Sequence, residues 1–245
     1  MSTSQGNPNY PPKFAQSISS VFSYLGFIMD ILFNTLLTLH IIGGATGLIA
    51  GSLNIARKKG DKNHQLTGKV FTYSMLTSGF SALLLALLHP NYFLFIVGIF
   101  TIYMVGSGHR YLYLKLLAQE QKPALIDWAL TIGMLMFGLG FLGVGAYHLI
   151  KGNNFGLVFL VFGFLGLRFV QADMGNYRGK PKEKNYWLLA HLQRMTGAYI
   201  AATTAFLVVN MKYLPDVIPG IVFWLLPTVI VTPLIVRWSR QYRVK

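Results

Sequence analysis

A chain of 245 residues with 53% hydrophobic and only 11% charged side chains has too few charges to cover a soluble globule; about a quarter of residues would be charged in one. Lipid is the natural solvent for the excess. The net charge of +14 does not point to nucleic acid, because the basic residues fall in short clusters between apolar runs, as in loops facing an anionic membrane surface. The absence of cysteine excludes disulfides, iron–sulfur clusters, thiolate metal sites and haem attached through C-x-x-C-H.

Residues 1–13 are polar and rich in Asn, Ser and Pro, without the basic and apolar regions of a cleavable signal peptide. From Phe14 to Met29 the pattern is mixed, with Phe14, Ile18, Val21, Phe22 and Leu25 at roughly helical spacing; it reads as an interfacial helix leading into the first span. Domain organisation follows: a polar N-terminal segment over 1–27, a transmembrane bundle over 28–238 and a basic tail over 239–245.

A helix crosses the hydrocarbon core in about 20 apolar residues. The expected fold is therefore all-α, a polytopic membrane bundle of about seven helices over 31–53, 70–88, 92–111, 125–150, 155–170, 188–211 and 218–238. His89-Pro90-Asn91, Lys151-Gly152-Asn153-Asn154 and Arg178-Gly179-Lys180-Pro181 break the runs. Orientation follows from Lys and Arg. Segments 54–69, 110–122, 168–184 and 237–245 hold 5, 3, 5 and 4 of them, which with Arg194 puts 18 on one side. Lys13, Lys151 and Lys212 are the 3 on the other. The basic side is expected to be cytoplasmic, so the N-terminus is expected outside and the C-terminus inside. Tyr92, Tyr111, Trp128, Tyr147, Trp187, Tyr213 and Trp238 fall near span ends, as an aromatic belt requires.

Gly43, Gly47 and Gly51 recur every fourth residue in the first span and would let a neighbouring backbone approach closely. Gly133, Gly138, Gly140, Gly143 and Gly145 in the fourth span, and Gly156, Gly163 and Gly166 in the fifth, repeat the idea less regularly. Such rows serve packing within the chain or the seam of a homo-oligomer or larger membrane complex.

Ionisable groups within membrane spans are costly and face the bundle interior or a cavity. His64, His109 and His191 fall at cytoplasmic span ends, His89 and His148 at outer ends, and His40 near the middle of the first span. At the cytoplasmic level the histidines share a polar layer with Arg110, Asp127, Arg168, Gln171, Asp173 and Arg194. Three chemistries use such a layer. A b-type haem takes imidazoles from two helices and pairs its propionates with arginine, here His40, His64, His109 or His191 with Arg168 and Arg194, with His89 and His148 as an alternative outer pair. A divalent metal takes His64, His109 and His191 with Asp173 or Asp127. A transporter or lipid-binding protein uses Arg168 and Arg194 to attract an anion. The bland alternatives are histidines resting at the headgroups, snorkelling arginines and a His40 bonded to a neighbouring hydroxyl or carbonyl. No H-E-x-x-H, Ser-His-Asp order or phosphate loop occurs, and only 7 acidic residues are present, which disfavours a carboxylate-based hydrolase.

The run His40-Ile41-Ile42-Gly43 through Gly47 and Gly51, then Lys59-Gly60 through His64 to Gly68-Lys69-Val70-Phe71, resembles a widespread bacterial family of multi-pass membrane proteins that is known as a domain of unknown function. His191-Leu192-Gln193-Arg194-Met195, with Tyr199 and Ala201-Ala202, is similar to that family's second hallmark, which reads closer to His-Arg-Arg-Trp-Met. The resemblance emphasises His40, His64, His191 and Met195 and implies a bacterial cytoplasmic membrane. It implies no activity.

Overall fold

The computed structural model describes residues 13–213 and 217–244, with side chains from residue 17 onward. All regular structure among these residues is helical. Seven α-helices follow in order: α1 (Lys13–Ala56), α2 (Lys62–Leu88), α3 (Tyr92–Arg110), α4 (Leu125–Ile150), α5 (Gly156–Tyr177), α6 (Tyr186–Val209) and α7 (Gly220–Tyr242). Short 3₁₀ turns at Tyr111–Tyr113 and Met211–Tyr213 continue α3 and α6. Six helices are long and apolar enough to cross a membrane; α6, which carries His191, Gln193 and Arg194, is the exception by composition.

The helices join as a chain of neighbours with α3 at its centre. α1 packs on α2, α2 on α3, α3 on α4 and α6, α4 on α5, and α6 on α7. Ile96, Tyr103, Met104 and Val105 of α3 are among the most buried side chains, and Met134, Phe141, Phe159 and Ala198 of α4, α5 and α6 complete the core around them. Aromatic rings interlock there edge to face, as with Phe100 and Phe162 at 5.0 Å between centroids.

The glycine row of α1 is spent on α2 and α6 within the same chain. A Cβ on Gly43 would stand 2.8 Å from the Ser74 carbonyl oxygen, one on Gly47 2.5 Å from Met75 Sδ, and one on Gly51 2.5 Å from the Tyr199 ring. Where α4 meets α5, Gly138 and Gly163 face one another's backbone, as do Gly145 and Gly156. Gly133, Gly140 and Gly143 have nothing within 4 Å, so only part of the expected α4 row packs against a neighbour. The others lie on a different face of the helix.

α2 starts at Lys62 rather than at 70, the extents of α1 and α5 also differ from expectation, and one expected belt residue turns inward. α1 runs from Lys13 without a break, so the stretch expected as a separate interfacial helix, and the boundary expected at 27, lie inside one helix; residues 1–12 of the expected polar segment lie outside the described residues. α5 continues past 170 to Tyr177. Arg168 and Asp173 resembled loop charges, yet the helix passes through both because Asp173 is neutralised by a partner on α6. Tyr111, expected in an aromatic belt, is fully buried, whereas Tyr92, Tyr147 and Tyr213 are exposed.

Candidate functional site

Asp173 is the centre of the polar core. α5 turns it inward together with Gly166 and Val170, and none of its surface reaches solvent. Arg194, projected from α6, pairs with it through both guanidinium nitrogens, Nη2 to Oδ1 and Nη1 to Oδ2, the latter at 3.3 Å. Tyr103 donates to Oδ2 at 2.7 Å and Tyr111 to Oδ1 at 2.6 Å, while Thr131 of α4 donates to Oδ2 at 3.1 Å. Asn176 donates to the Tyr111 hydroxyl at 2.9 Å, and Tyr177 shares a bond with Thr131 at 3.2 Å. The guanidinium lies 4.7 Å from the Tyr111 ring centroid and 5.3 Å from that of Tyr103. A carboxylate with five donors and an arginine enclosed by carboxylate and rings form a buried pair in which each charge is matched.

This arrangement reassigns two candidates. Asp173 was a candidate metal ligand; both its oxygens are taken up by Arg194, the tyrosines and Thr131. Arg194 was a candidate partner for haem propionates or a substrate anion; its charge is held by Asp173 and none of it faces an open pocket. Arg168 does not join the layer. It lies on the exposed face of α5, away from the 166, 170 and 173 positions, and bonds Gln171 one turn along. Arg110 forms a second pair, its Nε 2.7 Å and Nη2 3.0 Å from the Asp127 carboxylate. Asp127 also accepts the Ala124 N–H at 2.8 Å, which fixes the start of α4.

The histidines divide into two sets. At the end opposite the basic loops, His89 lies edge-on to Phe33 at 4.6 Å and His148 stacks on Phe159 at 5.7 Å, each in its own aromatic setting. His40 faces α2, with Nδ1 3.0 Å from the Ser78 carbonyl and 3.1 Å from its hydroxyl. The carbonyl only accepts, so Nδ1 carries the proton; this half-buried imidazole is bonded to a neighbouring hydroxyl and carbonyl, as the bland alternative describes.

At the end of the bundle that carries the basic loops, His64, His109 and His191 sit on α2, α3 and α6, and both others lie within electrostatic reach of His191. His191 Nδ1 donates to the Gly108 carbonyl at 2.9 Å. That bond sets the tautomer and leaves the Nε2 lone pair uncommitted. His64 Nδ1 is buried with no hydrogen-bond partner. Its backbone N–H is capped by Asp61 at 2.7 Å, which starts α2 and sets the imidazole's position. Lys59 stands in the preceding loop, close enough for its charge to act on His64. Burial lowers the pKa of its ammonium from the ordinary lysine value, while its Nζ caps the α1 carbonyls of Asn54 and Ile55 at 2.7 and 2.9 Å and lies 4.1 Å over Trp238 of α7. Among the described residues no three His, Asp or Glu side chains converge as a preformed metal cluster. His64 and His109 are thus near enough to His191 for charge to act between them, and all three stand separate from the Asp173 centre. Gly108 links the two, since its carbonyl holds His191 while a Cβ at that position would stand 3.0 Å from Arg194 Cβ.

Sequence reasoning missed Tyr103, Thr131, Asn176 and Tyr177 as members of the polar centre. A signal existed for the first: Tyr103, Ser107 and Tyr111 recur every fourth residue around α3, a polar stripe on an otherwise apolar helix. Comparison with family models, curated proteins and solved structures finds no match.

Proposed function

We propose that the chain is a multi-pass protein of a bacterial cytoplasmic membrane, with its N-terminus outside, and that His64 and His191 ligate a transition metal at the cytoplasmic end, as the iron of a b-type haem or as a divalent ion. One observation carries the reading: a buried imidazole nitrogen of His64 without a partner, beside a His191 whose Nδ1 proton is fixed on the Gly108 carbonyl. A buried polar atom left unbonded costs about 1–3 kcal/mol, and a metal-ligating imidazole characteristically donates its other N–H to a carbonyl or carboxylate. The tight contact of α3 with α6 at Gly108 leaves no room for a porphyrin between those helices, so a haem would lie on the α2 side of His191.

The 18-to-3 split of basic residues supports the orientation. In this reading α6 crosses with the other six helices, because Asp173 neutralises Arg194 and α6 is flanked by α3 and α7. The test is an absorption spectrum of detergent-purified protein, oxidised and then dithionite-reduced, with total metal measured on the same sample. A Soret band with sharpened reduced α and β bands identifies haem, and a colourless sample with near-stoichiometric metal identifies a bare ion. Either signal should vanish in His64→Ala and His191→Ala. A wild-type sample with neither haem nor metal overturns the proposal.

A further inference from the structure

We infer that α1 is a self-association helix that joins three or four copies of this chain in a parallel coiled coil. The antiparallel pairing of α1 with α2 is pinned at three levels: Asn54 bonds Thr67, His40 bonds Ser78, and Phe33 meets His89. Phe33 therefore marks the outer end of the bundle. Residues 13–32 continue as helix beyond it, which at about 1.5 Å per residue is about 30 Å. This projection keeps large apolar side chains uncovered, among them Val21 at 55%, Phe22 at 69% and Leu25 at 51% exposure. It lies outside the bundle's own core, so an apolar helix of this kind needs a cover.

The spacing says which cover. Ile18, Leu25, Leu32, Leu39, Thr46 and Leu53 repeat every seven residues and occupy the a positions of a heptad. Val21, Ile28, Thr35, Ile42 and Ile49 take the d positions between them. All of these residues are exposed, because α2 covers an adjacent face made of Leu36, Gly43, Gly47 and Ala50. A seam of period 3.5 over five heptads is a coiled-coil pattern, and leucine at a with β-branched residues at d favours more than two strands. Ser19, Ser20, Ser23 and Asp30 fall at b, c and f, so no charge faces its own copy across the seam. Copies inserted in one membrane share orientation and depth, which places identical seams parallel and in register. A second copy thus matches this surface along its full length, including the part within lipid, where Thr35 and Thr46 supply the polar contacts that bind helices there.

The chain contains no cysteine, so single cysteines report the seam without background. Oxidation in native membranes should cross-link Val21→Cys, at d, and leave Ser23→Cys, at f on the opposite face, uncoupled. Light scattering of the full chain in detergent should give three or four copies. Leu25→Asp with Ile28→Asp should reduce the mass to one copy while the bundle's melting temperature stays unchanged, because both residues lie outside it. Equal cross-linking at both positions, a wild-type monomer or dimer, or an unchanged mass in the double variant would overturn the inference.

Discussion

α1 and the Asp173 centre are opposite solutions to life in an apolar solvent. The most apolar 18-residue stretch of α1 is 6% buried within the chain, against 56% for α3. α1 holds to the bundle through one glycine face and presents the rest of its surface outward. Around Asp173, four helices converge on a single carboxylate, and the groups that bind it are among the least exposed in the protein. Small residues fix where α1 lies by letting backbones touch, while charge fixes how α3, α4, α5 and α6 are rotated. The first constraint tolerates a change on any outward face. The second tolerates almost none, since each donor is aimed at one atom.

Arg194→Ala should break this contrast most severely. It leaves Asp173 charged and uncompensated in a site closed to water, a loss of about 3–5 kcal/mol, which a detergent thermal melt would register as failure to fold or a large drop in midpoint. Asp173→Asn in the same background should recover part of the loss, because the stranded charge disappears. A melt unaffected by Arg194→Ala would remove the pair from its place at the centre of the fold.

Gly43→Ala and Gly140→Ala sharpen the α1 side of the comparison. The first drives a Cβ to 2.8 Å from a backbone oxygen of α2, which cannot yield without moving a helix, and should cost about 1–3 kcal/mol. The second meets nothing within 4 Å and should be neutral or stabilise by up to about 1 kcal/mol through helix propensity. Equal effects in the two melts would contradict the assignment of the glycine row to α1–α2 packing. Arg110→Ala should matter less than Arg194→Ala. Its own side chain is 30% exposed although Asp127 is buried, and Asp127 keeps the Ala124 N–H, so a loss of about 1–3 kcal/mol is expected, again read from the melt.

Much of this arrangement was legible in the sequence. Apolar length and breakers predicted the helices, and glycine spacing predicted the close approach of α1. Depth alone gathered Asp127, Asp173, Arg110 and Arg194 at one level. What depth cannot supply is rotation. Whether Asp173 meets a histidine or an arginine depends on how α5 and α6 turn about their axes, and residues of similar depth such as Arg168 and Asp173 end on opposite sides of one helix. Tyr111 escaped notice for a related reason: a hydroxyl on a bulky ring near a span end reads as a belt residue until the helix that carries it is known to be central. The continuity of α1 was hidden because its first part mixes serine with apolar residues, a pattern that suits an interfacial helix as well as a coiled coil.

The proposed sharing of a metal by His64 and His191 is open to a single comparison. The most direct measurement is haem and metal content per chain in purified wild type, His191→Ala and His40→Ala, taken side by side. Shared ligation requires near-stoichiometric haem or metal in the wild type, its loss in His191→Ala, and its retention in His40→Ala, whose imidazole is satisfied by Ser78. Equal content in all three proteins, or none in the wild type, would contradict it.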